Sequence, residues 1–144
     1  MERADAAVAL LDEGYNCAQS VLAVFAEPLG LDRDTALRLT DPLGAGMNLS
    51  GGPCGAVNGA LLALGLAHGG PAADDDASNE RVRKLARDFH GRFRERCGAA
   101  ACGELLGRDI SGPDAFARAQ EEEIFPDTCP ACVRAAAEIL EDML

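Results

Sequence analysis

The chain has few aromatic and few basic residues. It contains no tryptophan, one tyrosine and two histidines, and 13 Lys and Arg residues stand against 24 Asp and Glu. The formal net charge is -11, and no basic stretch of any length occurs. Nucleic acids and anionic membranes attract proteins through clustered positive charge, so this composition argues against both as partners.

The sequence also lacks a hydrophobic segment suited to export or membrane insertion. Residues 1–5 are acidic and have no apolar run, unlike a secretory signal. The longest apolar stretch, residues 56–67, is interrupted by Asn58, Gly59 and Gly65 and is too short to span a bilayer. We therefore expect a cytoplasmic protein, in which cysteines serve catalysis, redox chemistry or ligation more often than structural disulfides.

Alternating β-branched residues are nearly absent, whereas helical periodicity recurs along the chain. We predict an all-α fold, a compact single domain over residues 1–144 built as a bundle of about six to eight helices. The helix from about Cys54 to His68 is apolar nearly all round, so we expect it at the buried centre. The glycine-rich segment 41–53 before it is expected to form a tight loop. The other predicted helices cover residues 3–13, 16–28, 32–39, 78–97, 102–106, 113–123 and 129–143.

Four of the six cysteines stand where a helix is predicted to begin. They are Cys17, Cys54, Cys102 and Cys129. A helix start carries unpaired backbone N–H groups and partial positive charge, which favour a thiolate over a thiol. The thiolate attacks disulfides and binds metals, so this pattern indicates redox or metal chemistry.

The other two cysteines suggest different roles. Cys129-Pro130-Ala131-Cys132 is a CxxC segment, in which Cys132 is a candidate resolving thiol for Cys129. Cys97 continues the apolar stripe of its predicted helix, so core packing is expected for it. His68 and His90 are expected to be structural.

The cysteines and their neighbours resemble a family of redox-active proteins named for the pattern C_GCAxxG_C_C. The residues that carry the resemblance are Gly14–Val21, the glycine loop over 44–52, Gly52–Leu61, Cys102–Gly107 and Cys129-Pro130. The resemblance covers residues 14–140. The central motif departs from the family name, because it reads Cys-Gly-Ala-x-x-Gly from Cys54. The resemblance implies redox activity or an iron–sulfur centre, with Cys17, Cys54, Cys102 and Cys129 as the family's cysteines.

We therefore predict that these four cysteines meet at one site and make the protein an oxidoreductase or an electron carrier. The site either ligates an iron–sulfur cluster, with [2Fe–2S] preferred, or cycles between dithiol and disulfide with a redox partner protein. One alternative is a zinc-binding or purely structural helical interaction protein. Another is a thiol-dependent enzyme with a pocket beside the loop 44–52. The oligomeric state is left open, with a homodimer as one option.

Overall fold

The computed structural model describes residues 2–144 and is built almost entirely from helices, which confirms the predicted all-α fold. Nine helical segments follow one another in this part of the chain: α1 Glu2–Asp12, α2 Cys17–Ala26, α3 Arg33–Thr40, α4 Gly44–Leu49, α5 Gly55–His68, α6 Asp76–Cys97, α7 Cys102–Leu106, α8 Pro113–Glu121 and α9 Phe125–Met143. Short 3₁₀ turns follow α2 and α3, at Glu27–Leu29 and Asp41–Leu43. None of the helices within residues 2–144 combines the length and apolar character of a membrane span.

The central position predicted for the helix after Cys54 is confirmed. Half of α5 is buried, and it packs against α2, α6 and α9. Its closest neighbour is α2, because two glycines remove the side chains that would hold the helices apart. A Cβ on Gly59 would lie 2.7 Å from the Ala18 carbonyl oxygen, and one on Gly55 would lie 2.9 Å from the Ala18 nitrogen. This close approach places the first turns of α2 and α5 side by side.

The last helix, α9, closes the bundle against α1, α2, α5 and α6. One face of it is fully buried and includes Val133, Ala136 and Leu140. On α6, the stacked rings of Phe89 and Phe93 are 6.0 Å apart and fully buried. These contacts fix the early residues of α9 against the starts of α2 and α5.

The predicted loop after residue 41 contains a left-handed helical turn. Residues Ala45, Gly46, Met47 and Asn48 have φ between 51° and 64°, and Leu49 has φ 70°. A left-handed turn of L-residues costs roughly 1–2 kcal/mol per non-glycine residue, so tertiary contacts must hold it in place. The Gly52 N–H donates to the Gly46 carbonyl at 3.0 Å, and the Gly112 N–H donates to the Leu49 carbonyl at 3.0 Å.

Two predicted helix starts are wrong. The long helix α6 begins at Asp76 and not at Ser78, because Asp75 accepts a hydrogen bond from the Ser78 N–H while the Ser78 hydroxyl donates to the His68 carbonyl. The last helix begins at Phe125 and not at Cys129, with Pro126 in its first turn. Proline has φ already suited to a helix and lacks an N–H that the first turn leaves unused, so it favours this earlier start.

Candidate functional site

Three of the predicted cysteines stand at helix starts as expected. Cys17 and Cys102 are the first residues of α2 and α7, and Cys54 is the N-cap residue of α5. Beside Cys17, the Asn16 side chain and Gln19 form the predicted capping box. The Asn16 amide also donates to the Asp41 carbonyl at 3.0 Å. The start of α2 is therefore tied to the segment that leads into α4.

Cys129 lies a full turn inside α9, so its predicted position at a helix start is wrong. Pro130 is consequently inside the helix and not at its first position. Its ring nitrogen has no hydrogen to donate to the carbonyl four residues earlier, so one helical hydrogen bond is missing beside Cys129. The CxxC spacing remains helical, and it directs Cys129 and Cys132 to one face of α9.

Five cysteines form a row in which each thiol is within hydrogen-bonding reach of the next. Cys17 reaches Cys129 on one side and Cys54 on the other. Cys132 reaches Cys54, and Cys97 at the end of α6 reaches Cys132. We call this set the thiol row, and its order is Cys129, Cys17, Cys54, Cys132 and Cys97. None of the six cysteines forms a disulfide in the structure.

Two members of the thiol row have a lowered pKa. The pKa of Cys54 is held well below its usual value by hydrogen bonds from the Cys132 and Cys17 thiols, against the effect of burial. The Ala56 and Val57 amides at the start of α5 lower it further. The pKa of Cys129 is lowered chiefly by the Cys17 thiol. Cys54 is 4% exposed, whereas Cys129 is partly exposed, so Cys129 is the more accessible of the two cysteines with a lowered pKa.

The remaining thiols hold their protons. The pKa of Cys17 is raised well above its usual value because its thiol donates to Cys129 or Cys54, and burial adds to the effect. The pKa of Cys132 is raised for the same reason by Cys54 and by burial. Burial also raises the pKa of Cys97, and it raises the pKa of Cys102 to about 12. The expectation that every helix start favours a thiolate is therefore wrong for Cys17 and Cys102.

A cavity of about 450 Å³ opens beside the thiol row. Five cysteines line it: Cys17, Cys54, Cys102, Cys129 and Cys132. The structure thus brings the four predicted cysteines to one cavity and adds Cys132. Much of the remaining wall is apolar, and the rings of Phe116 and Phe125, 5.4 Å apart, form part of it. Among the described residues 2–144, Asp12 is the only Asp, Glu, Lys or Arg in the wall.

Cys102 faces this cavity from outside the thiol row. It belongs to a small second core with Ile110 and Ala119. Cys54 and Cys129 affect its pKa only as neighbouring charges, without a hydrogen bond. Backbone bonds fix its position, because the Cys102 N–H donates to the Gly52 carbonyl at 3.1 Å and the Cys54 N–H donates to the Ala100 carbonyl at 2.7 Å. A Cβ on Gly46 would lie 2.9 Å from the Cys102 Cβ, so the left-handed turn packs directly on this cysteine.

The arrangement does not fit a bound metal cluster as it stands. A cluster needs cysteine sulfurs that surround a common centre. Among residues 2–144, no group of three or more His, Cys, Asp and Glu side chains is arranged to hold a metal ion. Zinc meets the same difficulty, because a structural zinc site needs four ligands at the corners of a tetrahedron.

Sequence reasoning missed Cys97, for which only core packing was expected. It does pack against the main core, but its thiol also continues the row beyond Cys132. The CxxC segment was the available signal for Cys132, whose neighbour in the row is Cys54 and not the expected Cys129. No local pattern joins Cys97 to Cys132, because their contact depends on how α6 packs against α9.

The fold and the site together define a helical protein whose thiols are gathered at one cavity. The comparisons agree with that class. Residues 15–143 match the family model described as "Putative redox-active protein (C_GCAxxG_C_C)", and the chain belongs to this family. No curated protein and no solved structure matches the chain. The family supports redox activity in general and leaves the reaction open.

Proposed function

We propose that the protein carries out dithiol–disulfide exchange at the cysteine-lined cavity. The observation that carries this proposal is the thiol row, in which a partly exposed thiolate, Cys129, adjoins a protonated thiol, Cys17. Thiol–disulfide exchange needs a thiolate to attack and a second thiol to resolve the mixed disulfide. Cys129 supplies the first and Cys17 the second.

The reaction proceeds by two sulfur displacements. The Cys129 thiolate attacks one sulfur of a substrate disulfide, forms a mixed disulfide and releases the first substrate thiolate. The Cys17 thiol then gives its proton to the neighbouring Cys54 thiolate and attacks the Cys129 sulfur. The second substrate thiolate leaves and a Cys17–Cys129 disulfide remains. The substrate gains two electrons and the two cysteines lose them.

The cavity favours a small substrate without negative charge. Its volume of about 450 Å³ is in the range of small-molecule sites, and much of its wall is apolar. Asp12 faces it, and Cys54 and Cys129, whose pKa values are lowered, add negative charge when they ionise. An anionic disulfide would be repelled at close range, whereas a neutral one would enter.

The proposed setting is the cytoplasm, with a protein dithiol as the redox partner. Cytoplasmic thiol pools keep exposed cysteines reduced, so a disulfide formed here would be transient and ready for the next cycle.

Trapping the first disulfide tests the proposal. The reduced protein is treated with bis(2-hydroxyethyl) disulfide, quenched with acid, alkylated and analysed by mass spectrometry. We expect a Cys17–Cys129 disulfide in the parent protein and a stable mixed disulfide on Cys129 in Cys17→Ser. Cys102→Ser is the matched control, because Cys102 shares the cavity but stands outside the thiol row. Failure of every cysteine to form a disulfide, with the protein folded, would refute the proposal.

An iron–sulfur cluster at the same cavity is the second candidate. The observation in its favour is that five cysteines line one cavity. Binding would require the thiols of the row to move apart around the cluster. Reconstitution with iron and sulfide under anaerobic conditions tests it through visible absorbance and acid-labile sulfide. A Cys102→Ser variant should then lose the cluster, although the same variant leaves disulfide exchange unchanged.

A further inference from the structure

The thiol row extends beyond the cavity on one side. Cys129, Cys17, Cys54 and Cys132 line the cavity wall, whereas Cys97 is not among its lining residues. Cys97 is the last residue of α6, is only partly buried and reaches the Cys132 thiol. The row therefore starts at the cavity with Cys129 and Cys17, passes through the buried Cys54 and Cys132, and ends at the partly exposed Cys97.

We propose that the row is a disulfide relay with two ends: the substrate is reduced at Cys129, and a protein dithiol reduces the row again at Cys97. This inference rests on the proposed function and adds the place where the redox partner acts. Adjacency is the evidence for it, because each displacement requires only sulfurs already within reach of each other. A protein dithiol is too large to enter the cavity, so it needs a cysteine outside the cavity with which to react.

Three displacements move the disulfide along the row. Cys54, which took up the proton of Cys17, passes that proton to the departing second substrate thiolate and attacks Cys17 of the Cys17–Cys129 disulfide, which forms Cys17–Cys54 and releases Cys129 as a thiolate. Cys132 then attacks Cys54, which forms Cys54–Cys132 and releases Cys17. Cys97 finally attacks Cys132, which forms Cys97–Cys132 and releases Cys54. Each step breaks one S–S bond and forms another, so the row gains and loses no electrons. In the second and third steps, the proton that leaves the attacking thiol is taken up by the thiolate that is released.

The partner closes the cycle. One thiolate of the external protein dithiol attacks Cys97, and Cys132 leaves. The partner's second thiol then attacks the intermolecular disulfide, so that the partner ends as a disulfide. Two electrons have passed from the partner to the row, and Cys97 and Cys132 are thiols again. Cys129 and Cys17 meanwhile have stayed free to meet the next substrate molecule.

The protonation states along the row favour displacements in this order. While Cys54 is a thiolate, its hydrogen bond holds the proton on Cys132. Once Cys54 is part of a disulfide, that charge is gone and the strongest influence raising the Cys132 pKa disappears. Cys132 thus becomes a better nucleophile when its target, the Cys54 sulfur, becomes available.

The test follows the position of the disulfide in time. The full reduced chain receives one equivalent of bis(2-hydroxyethyl) disulfide, and acid-quenched samples are alkylated and mapped. A Cys102→Ser background leaves Cys97 as the only cysteine between Arg96 and Arg108, so its state is read directly from one tryptic peptide. We expect Cys17–Cys129 first and Cys97–Cys132 later, with loss of alkylation at Cys97.

Replacing Cys132 with serine in the same background blocks the last two displacements. We expect Cys97 to remain fully alkylated there, while Cys17–Cys129 and Cys17–Cys54 still form. Far-UV circular dichroism checks the fold of this variant. If the cavity disulfides form in the folded parent chain but Cys97 never loses alkylation, the relay is refuted and the proposed function stands. If no disulfide forms at all, both are refuted.

Discussion

Replacing Gly59 with alanine should destabilise this protein, although the same change usually stabilises a helix. The new Cβ would lie 2.7 Å from the Ala18 carbonyl oxygen and 3.2 Å from the Val21 Cβ. The oxygen belongs to the backbone of α2, so the two helices must move apart. Overpacking of this kind typically costs about 1–3 kcal/mol of the free energy of unfolding.

Two other helical glycines provide matched controls. A Cβ on Gly65 in the same helix, or on Gly91 in α6, would meet no atom within 4 Å. Alanine in place of glycine inside a helix gains about 0.5–1 kcal/mol. Gly59→Ala receives a similar gain, so its difference from the controls isolates the cost of contact with α2, about 1–3 kcal/mol.

Urea denaturation of the three variants measures these differences as shifts in midpoint at constant slope. The same samples report on the site, because α2 and α5 begin at Cys17 and Cys54. If Gly59→Ala separates the helices, formation of the Cys17–Cys54 disulfide should slow, while Gly65→Ala leaves it unchanged. Equal stabilisation by all three substitutions would refute the close contact between α2 and α5.

Three further predictions concern charge and strain. Cys132→Ala removes the main donor to Cys54, so the pKa of Cys54 should rise, measured by thiolate absorbance, and an unchanged pKa would contradict the contact between the two thiols. Because the pKa of Cys102 is about 12 in the folded state against 9.0 as the usual value, its thiol makes the protein lose stability as pH rises from 9 to 12. The Cys102→Ser variant should show a shallower loss over that range in urea titrations, by at most about 1.4 kcal/mol per pH unit, and an equal slope would contradict the raised pKa. Ala45 has φ 51°, so Ala45→Gly should raise the melting midpoint through a gain of about 1 kcal/mol, whereas a loss would show that the Ala45 methyl group matters more than the backbone strain.

The helices that carry the site were largely predictable from local signals. The Asn16 capping box, the Gly55 and Gly59 contact surface and the apolar length of α5 are all encoded within a few residues of each other. These signals fix where Cys17 and Cys54 stand. The start of α9 was missed because Pro126 initiates the helix earlier than the cysteine spacing suggested.

The left-handed turn had no local signal, because four of its five left-handed residues are not glycine. Alanine, methionine and leucine avoid this conformation in isolation. The turn is held by hydrogen bonds to residues 52 and 112, and it packs Gly46 on Cys102. Contacts with other segments of the chain decide the conformation of the turn, so the residues of the turn alone do not predict it.

Helix dipoles alone do not decide which cysteine is the thiolate. Cys17, Cys54 and Cys102 all stand at helix starts, yet only the pKa of Cys54 is lowered, and Cys129 acquires a lowered pKa from inside a helix. The difference comes from the neighbours. Cys54 and Cys129 each have a thiol that donates to them, whereas burial without such a donor leaves Cys102 protonated.

A row of thiols therefore sets its own pattern of charge. Each S–H has one proton to donate, so a proton held by Cys17 or Cys132 stabilises a thiolate beside it, and lowered and raised pKa values alternate from Cys129 to Cys132. Oxidation of a pair that includes Cys54 or Cys129 removes the charge of that cysteine, which changes the pKa of the next cysteine. The order of the thiols, set by the packing of α2, α5, α6 and α9, thus determines both where a disulfide forms and which cysteine is ready to attack it.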